Sequence, residues 1–227
     1  MTQPSSLAIV AGAGAGLGQS LLSRFEVEGM TAVGLGRTRP INPIGTFLEI
    51  DLADAEATSL AIAELIAQHG PPKIVVHNTA ELVIAPFEKT SLNDYQRTWT
   101  SMVQSLVILG QSVLQPMVTG GGGTLIVTGA TASLRGGARF SAFASAKFAL
   151  RGLTQSLARE FQPAGIHVAH VILDGIIDTT RSRDLHDLDP SKMMKPEAIA
   201  EAYWQLAQQP PSTWTHELDL RPASEGF

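Results

Sequence analysis

Short apolar runs alternate with longer stretches of helical character along this chain. Six runs rich in apolar and β-branched residues predict strands at 6–12, 30–37, 45–51, 73–78, 123–129 and 165–173. The intervening and following stretches predict helices at 16–29, 53–69, about 91–118, 139–162 and 196–208. Strands that are apolar on both faces are typical of a parallel sheet covered by helices on its two sides. We therefore expect an α/β fold built on a doubly wound parallel sheet.

Length and composition narrow the class of protein. No linker, charge run or repeat divides the 227 residues, which favours a single domain over 1–227. The net charge of −5 disfavours a nucleic-acid or anionic-membrane partner, because both bind clustered lysine and arginine. The lack of cysteine excludes disulfides, thiolate zinc sites and thiol nucleophiles.

Two further features concern location. The longest apolar runs are shorter than the roughly 20 residues that span a bilayer. The opening residues MTQPSS lack the basic and apolar regions of a signal peptide. We expect a soluble cytoplasmic protein.

A glycine-rich turn, AGAGAGLG at 11–18, follows the first predicted strand. Such a turn lets the backbone approach a diphosphate, and the N–H groups at the start of the next helix attract its charge. Glycines also occur in ordinary tight turns, but the position after the first strand of an alternating chain favours a Rossmann-type dinucleotide site. The residues expected to form this site are Gly12, Gly16, Leu17 and Gly18.

Further motifs follow in order along the chain. The glycines have the spacing TGxxxGxG, with Ala11 in place of the threonine, and the pair Asp51 and Leu52 follows the third predicted strand. HNTA at 77–80 is similar to NNAG. Asn78 matches its second position, and Ala80 stands at the position of the small fourth residue. DGIIDT at 174–179 is similar to PGxIxT. It matches that motif at Ile177 and Thr179.

On these motifs the chain resembles the short-chain dehydrogenase/reductase family over nearly its whole length. The resemblance implies a nicotinamide dinucleotide cofactor and hydride transfer. It implies that Asp51 and Leu52 bracket the adenine, and that Ile177 and Thr179 lie beside the nicotinamide. It also implies that a short loop at about 179–195 shapes the substrate pocket.

The end of the second strand, GLGRTR at 34–39, bears on the choice of cofactor. An acidic side chain there would accept hydrogen bonds from a ribose diol and would repel a 2′-phosphate. This chain has Arg37 instead, with Arg39 close by, and a guanidinium suits a phosphate. We expect NADP(H) to be favoured over NAD(H), although Arg37 could also be a solvated loop residue.

Of the family's four catalytic residues, the resemblance places only the lysine in this chain. Lys147 matches the lysine of YxxxK, but Phe143 stands at the tyrosine position. The serine position falls on Ala130, and the asparagine position falls on Met102, next to Ser101. The resemblance implies that Lys147 binds the cofactor ribose beside an apolar substrate pocket formed by Ala130 and Phe143. Core packing is an equal alternative for Phe143, because phenylalanine is mostly buried.

Without the tyrosine, a proton donor would have to be atypical. Lys147 is one candidate, because an apolar neighbourhood would lower its pKa. Asp174 is a second, since a carboxyl group beside apolar walls can stay protonated. Ser133, with Thr131 close by, is a third. Turn capping is the alternative role for Asp174 and Ser133.

Other polar and aromatic residues predict little chemistry. His77, His167 and His170 lie on predicted strands without a carboxylate at ligand spacing, so packing is a better interpretation than metal binding. The two tyrosines, Tyr95 and Tyr203, are expected to lie far from Phe143.

Three functions remain open from the sequence. One is an NADP(H)-linked oxidoreductase acting on a small or medium apolar carbonyl, alcohol or enone. Another is a catalytically silent NADP(H)-binding protein that senses redox state or stabilises a partner. The last is a structural subunit without a cofactor. A homodimer or homotetramer is expected through the helices at 91–118 and 139–162 and through Trp214. The segment WTHELDLRP at 214–222 predicts an edge strand.

Overall fold

Within residues 5–225, which the computed structural model describes, seven parallel strands form one sheet. The strands are β1 Leu7–Ala11, β2 Thr31–Gly36, β3 Thr46–Glu49, β4 Ile74–His77, β5 Gly123–Thr128, β6 Ile166–Leu173 and β7 Glu217–Leu220. Their spatial order is β3-β2-β1-β4-β5-β6-β7. The structure confirms the predicted doubly wound sheet, and the predicted edge strand is β7.

The strand order reverses between β1 and β4, and this reversal positions the site. Ala11 and His77, the last residues of these two strands, pair with each other across the sheet. The loops after them begin at Gly12 and Asn78, and the Asn78 backbone N–H donates to the Ala11 carbonyl at 2.7 Å. In sheets of this type a crevice opens at such a point, beyond the carboxyl ends of the strands.

Helices cover both faces of the sheet. They are α1 Leu17–Val27, α2 Ala55–His69, α3 Leu92–Trp99, α4 Ser105–Thr119, α5 Ser141–Phe161, α6 Thr180–Leu185 and α7 Pro196–Ala207. Apolar residues of α2, α4 and α5 pack on one face, and those of α1 and α7 pack on the other. Local signals fix several ends: Asp54 accepts from the Ala57 N–H to cap α2, and Pro196 occupies the first turn of α7.

Two predicted segments differ from the structure. The helix predicted at 91–118 is interrupted by a π-helical turn at Thr100–Gln104, which separates α3 from α4. The loop expected at about 179–195 contains the short helix α6 and a 3₁₀ turn at Pro190–Lys192. A π-helical turn is rare and often marks a functional site, and this one contributes Ser101 to the crevice.

The segment Leu92–Thr119 is long and apolar enough to cross a bilayer by length and composition, contrary to the expectation that no run would be. In the fold it serves the core instead. Leu106, Leu109 and Val113 of α4 are fully buried among the residues of the sheet and its neighbouring helices. A buried core helix of a globular protein can meet the same criteria of length and composition, so this segment is only weak evidence for a membrane span.

The residues expected at a subunit interface differ in how far they are exposed. The Trp214 ring stacks on the His167 ring with centroids 5.1 Å apart, and its Nε1–H donates to the Gln209 carbonyl at 3.1 Å. Trp214 is half-buried by these contacts within its own chain, and its part in an interface stays a prediction. Exposed apolar side chains do remain on α3 and α5, at Leu92, Trp99 and Phe148.

Candidate functional site

Two adjoining cavities occupy the crevice at the carboxyl ends of the strands. One, of about 710 Å³, extends towards α5 and is called here the lysine-side cavity because Lys147 lines it. The other, of about 410 Å³, extends towards the ends of β2 and β3 and is called the arginine-side cavity because Arg37 lines it. Both cavities are lined by Gly12, Gly14, Asn78, Thr79, Ala80 and Arg181.

The glycine turn connects β1 to α1 through close backbone packing that side chains would prevent. Gly12 has φ +90°, and a Cβ there would lie 2.6 Å from the Asn78 carbonyl oxygen. A Cβ on Gly18 would lie 2.5 Å from the Ala13 Cα, and one on Gly16 would lie 2.6 Å from the Thr179 Cγ2. The turn therefore keeps its backbone open to the crevice, as a diphosphate-binding turn requires.

The predicted partners of the turn lie around it. The Asn78 Nδ2–H donates to the Gly12 carbonyl at 3.1 Å, which ties the loop after β4 to the glycine turn. Leu17, the first residue of α1, lines the lysine-side cavity together with Ile177 and Thr179. The structure thus brings the separate predicted motifs to one crevice.

The arginine-side cavity contains the residues expected around an adenosine. Asp51 and Leu52 line it, and so does Arg37. The Arg37 Nη2 lies 3.6 Å from the Glu81 Oε2, while the arginine side chain stays 63% exposed. Arg39 points elsewhere, because its Nη2–H donates to the Phe47 carbonyl at 2.7 Å.

The lysine-side cavity is formed around Lys147. This residue is 2% exposed, and its Nζ donates to the Thr128 carbonyl at 2.8 Å. Burial lowers the pKa of Lys147 to about 8, because desolvation disfavours the charged amine. Phe143, one helical turn earlier, lines the same cavity.

The wall beside Lys147 includes the two residues that the resemblance aligns with a catalytic serine and tyrosine. Ala130 and Phe143 line the cavity at those two positions. Met102, at the asparagine position, lies fully buried in the π-helical turn. The neighbouring Ser101 lines the other cavity, and its carbonyl accepts from the Ser105 hydroxyl at 2.7 Å. Ala130 and Phe143 thus present no hydroxyl group to this cavity.

Asp174 is held in a structural network. Its carboxylate accepts from the Thr131 hydroxyl and lies 3.3 Å from the Arg221 Nη2, while the residue is 4% exposed. It is not among the residues that line the lysine-side cavity. A carboxylate in an ion pair accepts hydrogen bonds rather than donating a proton. The expectation that Asp174 is a proton donor is not supported by this placement.

Ser133 has a comparable structural role. It is fully buried, and its Oγ accepts from the Ala130 backbone N–H at 3.2 Å, which closes the 3₁₀ turn Thr131–Ser133. The hydroxyl is absent from the cavity lining. This arrangement favours the turn-capping interpretation of Ser133.

The expectation that both tyrosines lie far from the catalytic segment is wrong. The fully buried Tyr203 on α7 shares a hydrogen bond of 2.9 Å with the Thr128 hydroxyl, and Thr128 is the residue whose carbonyl accepts from Lys147. Burial raises the pKa of Tyr203. The Tyr95 hydroxyl donates at 2.8 Å to Ser141, the first residue of α5. Neither tyrosine lines the lysine-side cavity.

A buried hydrogen-bonded group beneath the crevice was missed by sequence reasoning. The His77 Nε2 lies 2.8 Å from the Ser105 hydroxyl and 3.1 Å from the Thr79 hydroxyl. Burial and the charge of Lys147 lower the pKa of His77 to about 3, so the ring is neutral. Within residues 5–225 no three histidine, aspartate or glutamate side chains converge as a metal site. His77 instead supports Thr79, which lines both cavities.

Comparisons with known proteins agree with this geometry. The family model described as short chain dehydrogenase matches residues 6–188. A sorbitol dehydrogenase from Cereibacter sphaeroides is 27% identical over 180 residues, which cover 75% of this chain and 70% of that protein.

Solved structures show the same fold. A short-chain dehydrogenase from Rhodopseudomonas palustris is 33% identical and superimposes with a TM-score of 0.82 over 96% of this chain and 98% of its own. The structure of ElxO with NADP bound gives a TM-score of 0.87 at 18% identity, over 96% of this chain and 97% of that chain.

Proposed function

Because the chain belongs to the short-chain dehydrogenase/reductase family, we propose that it is an NAD(P)-dependent oxidoreductase with an atypical proton donor. Its substrate class is a small or medium apolar carbonyl, alcohol or enone. The observation that carries this proposal is the continuous crevice with the glycine turn at its centre and Lys147 at one end. When bound, the nicotinamide supplies or accepts the hydride.

Different residues of the crevice would bind different parts of the cofactor. The glycine turn faces the diphosphate, and Asp51 and Leu52 face the adenosine. Ile177 and Thr179 face the nicotinamide. Lys147 is close to the same end of the crevice and binds the ribose through its Nζ. NADP(H) is favoured over NAD(H), because Arg37 lines the arginine-side cavity. The whole chain acts as one domain, and the loop at about 179–195 bounds the substrate.

Proton transfer is the step for which this chain is least equipped. A missing general acid typically lowers a rate by about 10²–10⁴-fold. With Asp174 and Ser133 engaged elsewhere, Lys147 is the candidate that lines the reacting end of the crevice. Its lowered pKa, about 8, makes the amine able to exchange a proton near neutral pH.

A catalytically silent NADP(H)-binding protein is the second candidate function. It is favoured by the joint loss of two hydroxyls at Ala130 and Phe143, which leaves an apolar wall and no unpartnered hydroxyl. Under either function a homodimer or homotetramer would form through the exposed apolar residues of α3 and α5.

Titration of the protein with NADPH and NADH, followed by fluorescence, tests cofactor binding. A panel of apolar ketones, aldehydes and enones is then screened for oxidation of the bound cofactor. Binding with turnover of any one substrate class supports the oxidoreductase, and binding without turnover supports the silent protein. No binding of either cofactor would contradict both.

A further inference from the structure

Two arginines line the crevice, and sequence reasoning considered only one of them. Arg37 follows β2 and lines only one of the two cavities, the arginine-side cavity. Arg181 is the second residue of α6 and lines both cavities, as Gly12 and Gly14 of the glycine turn do. A positive charge at this place faces the part of the crevice that the two cavities share.

The two guanidinium groups differ in their ionic partners. Arg37 lies 3.6 Å from the Glu81 carboxylate, which is also 3.1 Å from Arg97. Arg183, two residues after Arg181, forms a bidentate ion pair with Asp178, with N–O distances of 2.6 and 2.9 Å. Within residues 5–225, Arg181 makes no ion pair and no side-chain hydrogen bond. Its guanidinium is therefore not held by an ion pair in this part of the chain, although Asp184 of the same helix also lines the lysine-side cavity.

We propose that Arg181 binds the cofactor diphosphate together with the glycine turn. This inference rests on the proposed function, since it requires a dinucleotide in the crevice. The glycine turn offers backbone N–H groups to the phosphate oxygens, and a guanidinium offers paired N–H donors of matching geometry. The anion would then be held by groups of both α1 and α6.

The position of Arg181 predicts a different specificity from that of Arg37. The diphosphate is common to NADH and NADPH, so removal of Arg181 weakens both cofactors to the same extent. The 2′-phosphate occurs only in NADPH, so removal of Arg37 weakens NADPH selectively. The ratio of the two dissociation constants separates the two roles.

The test is calorimetric titration of NADH and NADPH into wild type, Arg181→Ala, Arg181→Lys and Arg37→Ala. Arg183→Ala is the matched control, because it removes the same charge from α6 but at a side chain already paired with Asp178. We expect Arg181→Ala to weaken both cofactors by about tenfold, the order of one hydrogen bond to a charged group. Arg181→Lys recovers part of this loss, and Arg183→Ala changes neither constant by more than about twofold.

Two results would overturn the inference: unchanged affinities in Arg181→Ala, or an equal loss in Arg183→Ala, which would reflect only the net charge of α6. Both require that wild type binds a cofactor. If wild type binds neither, the proposed function fails instead, so the two failures are distinguishable. Unchanged melting temperatures show that the exposed substitutions leave the fold intact.

Discussion

The Lys147 Nζ lies 5.8 Å from the centroid of the Phe143 ring, one helical turn away on α5. Both side chains line the lysine-side cavity. The Lys147 Nζ donates to the Thr128 carbonyl at 2.8 Å, so its position does not depend on a phenol. The phenyl ring can pack against the cation, but it has no proton to exchange. Under the proposed function, this pairing would retain cofactor binding without the usual acid.

Replacement of Lys147 by methionine should weaken cofactor binding whether or not turnover is detectable. The amine donates to the ribose in our account, and loss of a charged donor should weaken NADPH binding by about tenfold or more. Fluorescence titration of wild type and Lys147→Met with NADPH measures the effect. If affinity were unchanged while a measured activity vanished, Lys147 would be the proton donor and not chiefly a ribose ligand.

The same variant should change the pH dependence of stability. The pKa of Lys147 is about 8 in the folded state against an ordinary value of 10.5, so the unfolded chain binds more protons between these pH values. Wild-type stability should then rise as the pH goes from 8 to 10.5, by at most ~3 kcal/mol. Lys147→Met should lack this rise. Urea unfolding of both proteins without cofactor at pH 7.5 and pH 10 measures the free energy of unfolding. An equal change in this free energy for wild type and Lys147→Met would refute the prediction.

Arg37→Asp should reverse the cofactor preference. The aspartate would repel a 2′-phosphate and could accept from a ribose diol. At about 1.5–3 kcal/mol for a hydrogen bond to a charged group, NADPH affinity should fall by roughly tenfold to a hundredfold, whereas NADH affinity should hold or improve. Dissociation constants for both cofactors measure the change. Equal affinities of wild type for the two cofactors would count against the assignment.

Asp174→Asn should lower stability more than it lowers activity. The asparagine keeps the shape of the side chain but removes the charge facing Arg221, and it replaces a carboxylate that accepts from Thr131. A loss of about 1–3 kcal/mol is expected for such a buried group, or roughly 2–4 °C in Tm for each kcal/mol in a chain of this size. Thermal melting and the rate per folded molecule provide the two readouts. A normal Tm with abolished turnover would restore Asp174 as the acid.

The sheet and the glycine turn were predictable because their signals are local. Each central strand is apolar on both faces, as in LAIVA of β1, and the glycines lie where backbones approach to within 3 Å of a would-be Cβ. The resemblance also placed Ala130 and Phe143 near Lys147, and both residues line the same cavity as the lysine.

What the sequence did not predict depends on contacts between distant segments. Tyr203 meets Thr128 across 75 residues, and Glu81 pairs with Arg37 from a different loop. That Arg181 has no ion pair among the described residues, unlike Arg37 and Arg183, is visible only in the folded structure. The roles of Asp174 and Ser133 likewise depend on burial and on the hydrogen-bond partners that the fold supplies.

The most direct test restores the missing hydroxyls. Cofactor oxidation is measured on a panel of simple ketones with wild type, Ala130→Ser, Phe143→Tyr and the double variant. We expect very slow turnover by wild type and the largest gain, about 10²-fold or more, in the double variant. Each single variant should gain less, because it leaves the carbonyl oxygen with one donor. Wild-type reduction of simple ketones at a typical enzyme rate of about 10 s⁻¹ would contradict the account.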